Sequence, residues 1–181
     1  PNPVDSTNGR YRPLDPETRV DITESAKKGL PAVFETAEGG LLGLAAKLAL
    51  SYGVKAPTEL LTKQIEDDSL ELVARISSLE GLARQEPEAL TPLWDKLLAA
   101  KDPKFRIAAV EQLIAIDPEK GTKAAMELAN SDKLKLRQGG YRLLGKLSSA
   151  EVATLFAERL SKIDTEKPGA LLDLLESAAE Q

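Results

Sequence analysis

Histidine and cysteine are both absent from this 181-residue chain. Without cysteine there is no disulfide, no thiolate nucleophile and no Cys-based metal site. Without histidine the chain lacks the commonest metal ligand and the usual general base, so Ser–His nucleophilic catalysis is excluded. Aromatic residues make up only 4% of the chain, which disfavours sheets, since strands prefer aromatic and β-branched side chains. No uninterrupted apolar run approaches the roughly 18 residues that mark a transmembrane helix. The N-terminus lacks the basic-then-apolar order of a signal peptide. It begins at Pro1, as expected of a mature product or a piece excised from a longer polypeptide. Basic charge is also in short supply: 24 Lys and Arg face 29 Asp and Glu, for a net charge of −5. Nucleic-acid binding needs a concentrated basic surface, so nucleic acid is not expected as a partner.

What the chain does have is alanine, leucine and a repeat. Hydrophobic content of 42% and charged content of 29% suit one soluble domain or array. Ala and Leu carry high intrinsic helix propensity. Leu72–Leu82, Pro103–Leu113 and Leu134–Leu144 share one pattern at a 31-residue step. Arg75, Arg106 and Arg137 keep that step, as do Leu79, Val110 and Tyr141, and Leu82, Leu113 and Leu144. A column of small residues, Ala46, Ser77, Ala108, Gly139 and Ala170, extends it in both directions. One such unit cannot bury its apolar stripe alone, whereas stacked neighbours can. The small column would let successive helices approach closely.

Residues 1–21 are rich in Pro, Asn, Asp and Gly and read as an arm or linker, with Tyr11 and Leu14 placed to reach the first helices. Residues 22–181 read as the repeat domain. Asp21 with Glu24 suggests a capping box, a short helix over Ile22–Lys28, a stop at Gly29 and a restart at Pro31. Helix pairs follow. The first of each pair covers Leu30–Glu38, Pro57–Glu66, Pro87–Ala100, Glu119–Asn130 and Ser149–Lys162. The second covers Leu41–Val54, Leu70–Arg84, Lys104–Ile116, Leu134–Leu147 and Gly169–Ala179. Apolar residues recur at i, i+3, i+4 and i+7 in these segments, the helical period. Leu44 and Leu48 are expected to share a face with Ala45 and Ala49, and Trp94 to sit in the core beside Leu90, Leu97 and Leu98. No strand is expected. The fold class is therefore all-α, an α-solenoid of about five helix pairs.

A Pro near the start of the first helix, an Asp near the turn and an Arg in the second helix resemble the HEAT-like repeat family, from about Leu30 to the C-terminus. The residues that carry the resemblance are Asp102 with Arg106, Asp132 with Arg137, and Glu71 before Arg75. It implies a right-handed solenoid in which these acids and arginines form a structural ladder between repeats. Leu44 and Pro168 replace the arginine in the first and last repeats, as befits degenerate end repeats. The run from Leu136 to Gln181 further resembles the HEAT region of large secreted bacterial proteins of the membrane-bound dehydrogenase-like group, which also carry a c-type cytochrome domain. That resemblance implies a periplasmic or secreted location and redox chemistry housed elsewhere, since this chain has no C-x-x-C-H motif.

The remaining motifs have structural explanations. Gly140 to Lys146 has the spacing of a phosphate-binding loop, but Leu147 stands where Ser or Thr would hold magnesium, and a helical apolar face runs through it. The acids Glu66, Asp67, Asp68 and Glu71 lack the spaced ligands and internal Gly of a calcium loop. Lys133, Lys135, Arg137, Arg142 and Lys146 form a basic set diluted by Asp132 and Glu151. No catalytic, cofactor-binding or metal-binding residue is assigned, and no enzyme activity is expected. The expected function is a protein–protein or inter-domain scaffold, with Glu80, Arg84, Glu111, Arg142, Lys146 and Asp173 as partner surface. The competing readings are a nucleic-acid-binding HEAT protein of the DNA glycosylase kind and a HEAT protein of the bilin lyase kind. Net negative charge opposes the first, and the lack of Cys and His opposes the second.

Overall fold

A computed structural model describes residues 21–166 and 168–180. The expected arm, with Tyr11 and Leu14, lies outside the described residues except for Asp21. Among the described residues there are ten α-helices and no strands. They are α1 (Thr23–Thr36), α2 (Gly39–Ser51), α3 (Thr58–Glu66), α4 (Leu72–Gln85), α5 (Trp94–Leu98), α6 (Pro103–Ile116), α7 (Pro118–Ala129), α8 (Leu134–Gly145), α9 (Ala150–Ser161) and α10 (Pro168–Ala179). None is long and apolar enough to cross a membrane.

Several termini follow directly from the sequence. Asp102 accepts the backbone N–H groups of Lys104 at 2.8 Å and Phe105 at 3.0 Å, with Pro103 at the first helical position of α6. Asp117 and Pro118 repeat the device at α7, and Ser149 caps α9. A polar acceptor supplies partners for otherwise orphaned N–H groups, and proline has no N–H to orphan. At the end of α2, Gly53 takes φ +70°. The Val54 N–H then reaches Ala49 O at 2.9 Å and the Gly53 N–H reaches Leu50 O at 3.1 Å, a Schellman stop.

Three local expectations are corrected. First, α1 runs unbroken through Gly29 and Pro31. Leu30 and Phe34 are buried one helical turn apart, with Ala26 and Val33 packed on the same cluster, so one apolar stripe crosses the expected break. The residue preceding α1 is Ile22, without a side-chain cap, while Asp21 bonds the Thr23 N–H at 2.9 Å instead of forming a capping box. Second, Pro87–Leu93 is a 3-10 helix and only Trp94–Leu98 is α-helical. Pro92 lacks the N–H that an α-helical continuation would need. Third, Leu44 and Leu48 do not share a face with Ala45 and Ala49. The alanines are buried, while Leu41, Leu44 and Leu48 are exposed. The close approach of α2 to α4 selects its small-residue face, where a Cβ on Gly43 would lie 2.6 Å from that of Ser77.

The second helices of successive pairs pack in order, α2 on α4, α4 on α6, α6 on α8 and α8 on α10. Helix α7 nests against both α6 and α8, and α3 packs on α4. The small column lies at these junctions. A Cβ on Gly81 would lie 3.3 Å from that of Ala46, closer than an ordinary contact, and one on Gly139 would overlap the side chain of Ile107 on α6. Two apolar clusters result. One gathers Leu42, Leu61, Ile65, Leu79, Leu82 and Phe105. The other gathers Val110, Leu113, Leu128, Tyr141, Leu144 and Phe156. Trp94 is partly buried and packs against both. Full burial of each such side chain stabilises by about 1.5–3 kcal/mol.

Polar side chains fasten the pairs. Buried Gln85 at the end of α4 donates to Ala56 O at 2.8 Å and accepts the Ala56 N–H at 3.0 Å, pinning the α2–α3 connection. Gln64 donates to Gly39 O at 3.1 Å and accepts from the Ser78 hydroxyl at 2.6 Å, so α3 bridges the start of α2 to α4.

Candidate partner surface and arginine column

The three arginines occupy equivalent positions on α4, α6 and α8, near the C-terminal ends of the preceding helices. Arg75 donates through Nε and Nη2 to Ile65 O, at 3.1 and 2.9 Å, and through Nη1 to Asp68 at 2.7 Å. Its guanidinium stacks over Phe105 of α6, 4.3 Å from the ring centre. Arg137 donates Nε to Ser131 O at 3.0 Å and Nη1 to Glu166 at 2.6 Å. The last carbonyls of a helix lack intrahelical partners and carry the negative end of its dipole, which favours a cation there.

Two of the three arginines pair with carboxylates, Arg75 with Asp68 and Arg137 with Glu166. Glu71 precedes α4 without a side-chain cap, and Arg75 takes Asp68 instead. Asp102 is engaged in capping α6, and among the described residues Arg106 forms no ion pair and its buried Nε has no hydrogen-bond partner. Arg137 meets the carboxylate of Glu166, 29 residues along the chain. An acid that caps its own helix points at backbone N–H groups and is not free to turn towards an arginine one turn later.

Glu166 was not legible as a site residue. Its side chain is 2% exposed and accepts from both Arg137 and the Tyr141 hydroxyl. Tyr141 is wholly buried, and that burial, reinforced by the hydrogen bond to Glu166, pushes its phenol well above the ordinary range. The available signal was Tyr141 itself, because a hydroxyl in an otherwise aliphatic column requires an acceptor.

The other motifs resolve plainly. Gly140 and Gly145 lie inside α8 and form helix contacts: a Cβ on Gly140 would overlap the backbone of Ala129, and one on Gly145 would lie 2.8 Å from that of Ser177. No loop exists there to cradle a phosphate. In the acidic run, Asp67 accepts from Ser69, Asp68 from Arg75 and Glu66 from Lys96. Of the expected basic set, Arg137 is buried and faces the interior of the stack.

The residues expected at a partner surface lie on, or just after, the second helices of the pairs. Glu80, Glu111, Arg142 and Asp173 are one repeat apart on α4, α6, α8 and α10. Glu80 pairs with Lys47 of α2, Glu111 with Lys146 at 3.2 Å, and Arg142 with Asp173 at 2.5 Å. Asp173 is buried and also accepts from Gln138 at 2.8 Å, so it fastens α10 to α8 and is not a free contact residue. Arg84 is exposed and forms no ion pair among the described residues, and it lines a groove of about 670 Å³ between α4 and α6 with Glu80 and Glu111. A second groove, of about 330 Å³, lies between α6 and α8. A third cavity, of about 470 Å³, opens beside Arg75, Lys96 and Phe105. The chain matches no protein-family model, and no curated protein or solved structure is detectably similar to it.

Proposed function

We propose that residues 22–181 form a right-handed HEAT-like α-solenoid that serves as a non-catalytic scaffold. It would bind a protein partner, or a neighbouring domain of a longer dehydrogenase-like, cytochrome-bearing polypeptide, through the face of its second helices. One observation carries the reading: α2, α4, α6, α8 and α10 pack in sequence, and the charged column from Glu80 to Asp173 follows them along one side. Such stacks present extended, quasi-one-dimensional surfaces, and here that surface is polar and grooved. The buried carboxylate of Glu166 is held by Arg137 and Tyr141, which suits a strut better than an acid–base group.

Photo-cross-linking in the native cell tests this. A cross-linking amino acid would be placed at Glu80 or Glu111 on the proposed face, and at exposed Glu59 or Glu127 on the first-helix side. Discrete adducts from the first two positions alone are expected. Adducts of equal yield from Glu59 and Glu127, or none from any position, would overturn the reading.

A further inference from the structure

The two grooves on this face differ in charge. The α4–α6 groove presents one arginine, Arg84, against Glu80 and Glu111. The α6–α8 groove presents Lys104, Lys135, Arg142 and Lys146 against a single carboxylate, Glu111. Arg142 is matched by Asp173 of α10 and Lys146 by Glu111. Lys104 and Lys135 remain. They sit one repeat apart on adjacent helices, both exposed, and neither ammonium has an ion pair or hydrogen bond among the described residues. Two unmatched cations are thus held side by side in a chain whose net charge is −5.

The floor between them is apolar. Ile107, Leu143 and the backbone at Gly139 line it. Gly139 keeps this floor open, because a side chain there would run into Ile107. No aromatic ring lines the groove, so it offers nothing for a nucleobase to stack on. Lysines at a groove rim act as flexible point charges that attract carboxylates and fix register, while an apolar floor accepts a small aliphatic side chain.

We propose that the α6–α8 groove is the docking site for an acidic peptide segment of a partner protein, with carboxylates set against Lys104 and Lys135 and an aliphatic side chain against Ile107 and Leu143. The proposal rests on the reading of this face as the partner surface and adds the chemistry of the partner. Charge complementarity selects the occupant, since four cations surround one acid here while the neighbouring groove has the reverse balance.

The test is fluorescence anisotropy with a fluorescein-labelled peptide of alternating Asp and Glu around one central Leu. It would be titrated with the whole chain at low and at physiological salt. Binding that weakens with salt is expected, since exposed ion pairs are screened. The double variant Lys104→Glu/Lys135→Glu should lose affinity by about tenfold or more, because reversed charges at a rim repel the ligand. Lys63→Glu, on exposed α3 surface outside the groove, should change it by less than about twofold. Far-UV circular dichroism of the double variant should match the parent, since both lysines are exposed. Absence of binding at low salt, equal binding by the double variant, or tighter binding of a labelled single-stranded oligonucleotide than of the peptide would each overturn the proposal. If cross-links still map to Glu80 and Glu111 after such a result, the peptide assignment fails while the scaffold reading stands. If they map elsewhere, both fail.

Discussion

Two adjacent glycines in α8 should respond unequally to the same substitution. Replacing glycine by alanine in a helix interior gains about 1 kcal/mol through backbone entropy alone. Against that stands the room for a Cβ. At Gly139 the new atom would meet the side chain of Ile107, which is only half-buried and can rotate towards solvent. At Gly140 it would meet the backbone of α7: it overlaps Ala129 N and comes within 2.7 Å of Ala129 Cα and 2.8 Å of Leu128 C. Backbone cannot step aside without moving α7, so the upper part of the usual overpacking cost, about 1–3 kcal/mol, applies. Gly139→Ala should therefore leave stability within about 0.5 kcal/mol of the parent, and Gly140→Ala should lower it by about 1–2 kcal/mol after the propensity gain. Urea unfolding followed by far-UV circular dichroism reads both. A Gly140→Ala protein as stable as the parent, or Gly139→Ala the more damaged of the two, would refute the α7–α8 contact as described.

Other outcomes follow from the buried groups. Glu166→Ala should cost roughly 3 kcal/mol because it strands the Arg137 guanidinium, and adding Arg137→Met should recover part of that loss; a double mutant as unstable as the sum of the singles would deny the coupling. Tyr141 binds its proton more tightly folded than unfolded, so its contribution is complete below its ordinary value of 10.0 and is lost as pH rises above that value. Tyr141→Phe should accordingly show a shallower stability decline at alkaline pH than the parent in parallel thermal melts. Asp102→Ala and Asp117→Ala should each cost about 1 kcal/mol in urea melts through loss of their helix caps, and an unchanged midpoint in both would remove that role.

The helical periodicity and the 31-residue step made most of the helices readable in advance, because both derive from local constraints repeated along the chain. The capping roles of Asp102, Asp117 and Ser149 emerged only with the structure, and Asp102 was expected beside Arg106 instead. What escaped depended on the competition between neighbouring groups. A glycine and a proline near Leu30 looked like punctuation, yet the stripe through Leu30 and Phe34 crosses both. A single helix was expected over Pro87–Ala100, yet Pro87–Leu93, with Pro92 inside it, takes 3-10 geometry. The arginine column was visible, but its partners were not. Arg75 and Arg137 reach over helix ends, and which acid lies there is decided by the path of a non-repeating loop. On the candidate surface, the column of Glu80, Glu111 and Arg142 was legible. The unmatched state of Lys104 and Lys135 was not, because it depends on which cations the carboxylates of neighbouring helices reach first.

Trp94 has a consequence for mechanics. It stands where the two apolar clusters meet, at the end of the only long 3-10 segment among the described residues. A 3-10 turn is held by poorer hydrogen-bond geometry than the α-helices on either side. Local opening is therefore easier in this segment than in the α-helices beside it. The sole tryptophan, at the end of that segment and in contact with both clusters, would report such an opening by its own emission.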